Sequence, residues 1–169
     1  PPAYAVPAGT SYTGGNNIVI SGASINQQLE IGCDVYSGGA QSINDSTETV
    51  IQFNTENYDL NAEYNTATYR YTATVAGYYL VNVSVGLTAV IVNAQTSARI
   101  RKNGSTIAQA FTRAGNDGSG GADTQANCSK VVLLAIGDYL EGAIYHSHGS
   151  ARNTISTAST TYMTISYIG

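Results

Sequence analysis

His146-Ser147-His148 is the segment of this chain best placed to do chemistry. Side chains two apart on a strand share a face, so two imidazoles at that spacing can chelate a metal ion. A second segment, Arg113 to Asp123, is rich in glycine and oxygen, and its Asn116, Asp117 and Asp123 carry the ligand atoms calcium prefers. His146, His148, Asp117 and Asp123 are therefore the candidate metal ligands, and calcium is the one cofactor suggested. Each segment also has a plainer reading: solvated histidines at a strand end, and a Gly/Asp-rich turn whose spacing is that of no recognised calcium loop. The 11 acidic residues are scattered, so no carboxylate pair stands ready for glycoside hydrolysis. There is no Gly-x-Ser-x-Gly elbow, no cysteine with an evident histidine partner, no P-loop and no Gly-x-Gly-x-x-Gly. No residue is singled out as catalytic, and the chain is read as a protein that is not an enzyme.

Composition narrows the partners. Charged residues are 11% of the chain, against a usual share of about 25%. The net charge is −4, and the basic residues do not cluster apart from Arg99, Arg101 and Lys102. Nucleic-acid binding needs a basic footprint that releases counterions, so nucleic acid is not an expected partner. Membrane insertion is not expected either, since no apolar run approaches the ~20 residues a spanning helix needs. Two cysteines, Cys33 and Cys128, are too few for a disulfide scaffold and lack zinc-knuckle spacing.

The elements that must position these residues are strands. Thirteen Tyr and many Thr favour pleated, half-buried surfaces, while 18 Gly and the Asn residues favour turns. Strand signals run over residues 29–35, 48–53, 68–74, 78–89, 96–102, 106–112, 130–136, 139–146 and 160–168. Odd positions from Tyr79 to Val85 form an apolar face, and Arg99 and Arg101 share one face of their strand. Asn103-Gly104 should close a two-residue hairpin. Gly77 and Gly137-Asp138 read as turns between apolar strands. No segment shows a capped 3.6-residue period. Residues 1–27 read as an N-terminal arm or linker with one short strand at Ile18–Ile20, and residues 28–169 as one all-β domain.

A spaced run carries a family resemblance. Phe53, Asp59, Tyr64, Tyr71 and Gly77 are followed at alternate positions by Tyr79, Val81 and Val83. This resembles the spacing in the globular heads of complement C1q and the wider tumour-necrosis-factor-like superfamily. Positions 71 and 81 are there usually Phe and position 83 aromatic, so the inward bulk is kept with other side chains. Ser129 to Leu134 with Gly137-Asp138, and Thr161 to Gly169, resemble that family's later strands. The resemblance implies a ten-stranded antiparallel jelly-roll sandwich with both termini at one end, assembled as a homotrimer. It implies axial or core positions for Tyr79, Tyr162 and Tyr167. It also places Cys33 and Cys128 in one sheet with other strands between, hence as free, buried thiols. The sequence texture is closer to bacterial and phage-type members than to animal ones. Cupin enzymes, also jelly rolls, would need a Gly six residues before the first histidine and a Glu four or five after the second. Leu140 and Arg152 or Asn153 hold those places.

The expected function is a non-enzymatic trimeric head, structural or adhesive. It would sit on a virion, as capsid decoration or fibre tip, or on a cell-surface appendage, and bind a surface glycan or a capsid or fibre protein. The alternative is a secreted carbohydrate-binding or ligand module of the same fold. Either places the protein outside the cell or on a virion or cell surface.

Overall fold

A two-residue alternation of apolar and polar side chains buries one side of a strand and leaves the other wet, and most of this chain is written that way. The computed structural model describes residues 18–21, 24–27, 31–115 and 122–169, which are strands and turns without a helix. A small hairpin, β1 (Ile18–Ser21) and β2 (Ser24–Gln27), precedes the domain. There follow β3 (Gly32–Tyr36), β4 (Ser42–Ile43), β5 (Thr49–Val50), β6 (Thr55–Asp59), β7 (Tyr64–Asn65) and β8 (Arg70–Thr72). The longer strands are β9 (Gly77–Val90), β10 (Gln95–Lys102), β11 (Ser105–Arg113), β12 (Ala122–Leu134) and β13 (Tyr139–His146). Last come β14 (Arg152–Asn153) and β15 (Tyr162–Tyr167).

One sheet has the order β12-β9-β15-β3-β6, and the other follows β11-β10-β13-β8-β7, with β5 alongside β13. The strands are antiparallel neighbours that are mostly distant in sequence, as in a jelly roll. Among the described residues there are fifteen strand segments where ten were expected; the two five-strand paths account for ten of them, and the remainder are short additions. Between the sheets lie Cys33, Val35, Tyr79, Val81, Met163 and Ile165 from one side and Phe53, Tyr71, Ile100, Leu140 and Ile144 from the other, all fully buried.

Several expected boundaries move. The arm carries a two-stranded hairpin rather than one strand. The strand expected at residues 130–136 begins at Ala122 and ends at Leu134; its first half buries small Thr124, Ala126 and Cys128, which give a weak apolar signal. Gly77 starts β9 rather than forming a turn, and a Cβ there would come within 2.6 Å of the Tyr167 ring. Asn103-Gly104 does close the β10–β11 hairpin, both residues having positive φ. Cys128 stands in mid-strand beside Val83, with two strands between it and the strand of Cys33. Three strand spacings of about 4.8 Å exceed a disulfide's reach, both thiols are free, and burial pushes both up in pKa.

Candidate functional site

The side of the five-stranded sheet turned away from the core has two unlike halves. Register places Leu133 beside Tyr78 and Val131 beside Leu80, and Ile168 donates its backbone N–H to Tyr78. All five side chains are exposed, Leu133 at 57%, and Ile136 in the following turn reaches 71%. Solvent-facing strand positions usually carry polar residues, so an adjoining group of exposed aliphatic and aromatic side chains sets this half of the face apart.

Farther along the same strands the face turns polar. Ser129, Asn82, Thr164 and Asp34 form one cross-strand row, and Asn127, Ser84, Tyr162 and Tyr36 the next. Asn82 donates to the Thr164 hydroxyl (3.0 Å) and accepts from Ser129 (2.7 Å). A shallow hollow of about 420 Å³ opens between Asn82, Asn127, Ser129, Tyr162 and Thr164, with Val83 at its lining.

The predicted aromatics separate. Tyr79 is a core residue, its ring meeting Tyr71 and Tyr167 edge-on at centroid distances of 5.9 and 5.2 Å. Tyr167 packs half-buried against that core. Tyr162 alone of the three lines the outward hollow. Sequence reasoning followed the inward face of β9 and so missed Tyr78 and Leu80; the signal was there, as large apolar residues at the alternate positions of an already recognised strand.

His146 and His148 are not solvated. Both are buried, with rings stacked 4.7 Å apart, because the chain around β4 folds over them. His146 Nε2 lies 3.0 Å from the Ile43 carbonyl, a contact that requires this nitrogen to carry the proton. His148 Nε2 meets the Thr96 hydroxyl at 3.2 Å. The other ring nitrogens, both Nδ1 atoms, have no hydrogen-bond partner, nor has the buried Nε of Arg152. The nearest carboxylate is Asp45, 3.5 Å from His146 Nδ1. Burial, with His146 and Arg152 as basic neighbours, pushes His148 down to about 4. The Gly149 backbone N–H, then the Ser46 hydroxyl, hold Asp45 below the usual carboxylate range. Among the described residues no three His, Cys, Asp or Glu side chains come together as a metal requires. Asp123 accepts the Ala89 backbone N–H at 3.1 Å; Asp117 and Asn116 lie outside the described residues.

The one basic cluster is neutralised. Glu48 pairs with Arg99 and, at 3.1 Å, with Arg101; Glu141 pairs with Arg101 at 3.2 Å and Arg70 at 2.9 Å. Lys102 pairs with Asp138. Only Glu141 in this chain of ions is nearly buried, so removing it leaves two guanidiniums facing each other. Glu141→Ala is expected to lower unfolding free energy by about 2 kcal/mol, with the loss shrinking in 1 M salt. Urea titration at both salt concentrations measures it.

Residues 36–164 match the family model of the C1q domain. Among solved structures, Eiger TNF from S. frugiperda superposes with a TM-score of 0.65 at 11% identity, covering 84% of this chain and 94% of that one. Murine APRIL at pH 5.0 gives 0.62 at 12% identity, covering 83% and 100%. The globular domain of zebrafish complement 1qA protein gives 0.56 at 13% identity, covering 82% and 98%. At these identities the likeness concerns the fold. No curated protein sequence matches.

Proposed function

This chain belongs to the C1q domain family, and from that premise we propose that it is one subunit of a homotrimeric head that works by attachment or recognition and not by catalysis. Domains of this family are generally non-enzymatic ligand-binding modules, and members form homotrimers. The observation that carries the reading is the exposed apolar group Tyr78, Leu80, Val131, Leu133 and Ile168. Left in water it would be a liability; packed against two further copies it becomes a seam.

The family's relatives are secreted or surface proteins, and a low-charge, hydroxyl-rich exterior suits that setting. On this reading the head decorates a virion or a cell-surface appendage, and its Tyr, Asn and Ser side chains supply adaptable contacts for a polar surface such as a glycan.

Light scattering tests the assembly. The native protein is expected at three times the 17.6 kDa of one chain. Leu133→Asp is expected to yield folded monomer, since burying an unpaired carboxylate in each seam costs several kcal/mol and weakens association at least 100-fold. A native monomer overturns the proposal. Selective glycan-array binding by the trimer would add the recognition role; an inert array with a stable trimer would leave a structural head.

A further inference from the structure

At the end of the sandwich away from the start of β3 and the end of β15, a strap crosses the core. It consists of β4, the turn after it, and residues 147–154. Arg152 and Asn153 pair with Ile43 and Ser42, Thr154 donates its N–H to the Gln41 carbonyl (2.9 Å) and bridges to Leu87. The Ser46 N–H goes to the His146 carbonyl (2.8 Å), and the Gly149 N–H to Asp45 Oδ1 (2.7 Å). The strap's own Ile43 is fully buried. Its Ile43 carbonyl meets His146 of β13, and its own His148 meets the Thr96 hydroxyl of β10.

We infer that His148, packed against His146, forms an acid-released latch, whose protonation loosens this strap and frees its Ile43 from the core while the two sheets stay folded. The geometry gives the reason. Three basic groups face one another here: His146 from β13, His148 from the strap, and Arg152 from β14. A single carboxylate, Asp45, faces them from the turn after β4, and Thr96, the contact from β10, is uncharged. A proton added to His148 therefore enters a buried site beside the Arg152 guanidinium, where its Nδ1 has no acceptor. Once the strap opens, water takes up that charge.

The pH window follows. The closed strap keeps His148 neutral down to about 4, whereas a free imidazole takes up its proton near 6.5. Between those values the open form binds more protons, so the closed form is fully favoured above about 6.5 and loses ground as pH falls toward 4. Asp45, held low, remains ionised over most of this range.

Amide hydrogen exchange on the native protein at pH 6.5 and 4.5, corrected for intrinsic rates, reads the latch directly. The protection of the Ser46, Gly149 and Thr154 amides is expected to fall tenfold or more, with β9 and β15 unchanged. His148→Asn, neutral at both pH values, should abolish the pH dependence. His148→Leu repeats the comparison should the asparagine variant fold poorly. Titration of the His148 ring in the native protein gives an independent readout, with a midpoint well below 6.5. Uniform loss of protection across the sheets, persistence of the effect without His148, or a His148 midpoint at 6.5 overturns the inference.

Discussion

Tyr79→Ala is expected to destabilise the domain by about 4 kcal/mol, the range for deleting a fully buried aromatic ring. Tyr79 has no exposed surface and is the middle member of an edge-on stack with Tyr71 and Tyr167. Its hydroxyl donates to the Val75 carbonyl at 2.7 Å. The stack matters because Tyr71 hangs from β8 in one sheet, while Tyr79 and Tyr167 belong to β9 and β15 in the other. Removing the central ring empties the joint between sheets, and the outer two cannot both fill it. Tyr79→Phe keeps the ring and strands only the Val75 carbonyl, at about 1 kcal/mol. Urea unfolding at one fixed protein concentration separates the two variants; the concentration must be held because assembly adds to apparent stability. A loss below about 1.5 kcal/mol for alanine would mean that the ring is not wedged between the sheets.

The inward side of this protein was legible because it is written in large side chains at a strict period. Tyr79, Val81, Val83 and Val85 announced β9, and Asn103-Gly104 announced the hairpin that follows β10, since a left-handed pair of residues leaves few candidates. Edges were harder. The polar run Thr55 to Asp59 is a strand only because β3 offers it partners, and no local pattern says so. The first half of β12 was silent for the opposite reason: its buried positions hold small residues. The histidines were misjudged because burial of a polar residue depends on what folds over it. Ile43 and Asp45 lie about 100 residues away in sequence, and no spacing rule connects them to His146. The outward face of β9 was passed over. Tyr79, expected at an axial or core position, is a core residue, whereas its neighbour Tyr78 is exposed, since on a strand a step of one residue changes the side entirely.

Gly32→Ala is expected to cost 3 kcal/mol or more, through backbone collision instead of lost contacts. A Cβ at position 32 would stand 2.2 Å from the Ile165 carbonyl oxygen, and the glycine has φ near +152°, a conformation that side chains resist. No rotamer change relieves a clash between Cβ and a main-chain oxygen. The strands themselves must part, and here those strands are β3 and β15, where Gly32 pairs with Ser166. β15 is also hydrogen-bonded to β9, so displacing it disturbs the centre of the sheet and the Tyr79–Tyr167 contact together. The Gly32 carbonyl additionally receives the Leu60 N–H at 3.0 Å, which ties the edge strand β6 to the same point. Gly39→Ala supplies the control: nothing lies within 4 Å of a Cβ there, and its stability should stay within about 0.5 kcal/mol of the native protein. Thermal and urea unfolding of both variants decide the matter, and similar losses at the two positions would refute the steric account. If the apolar seam is also the assembly surface, Gly32→Ala should weaken the trimer as well, because the strand it displaces leads directly into Ile168.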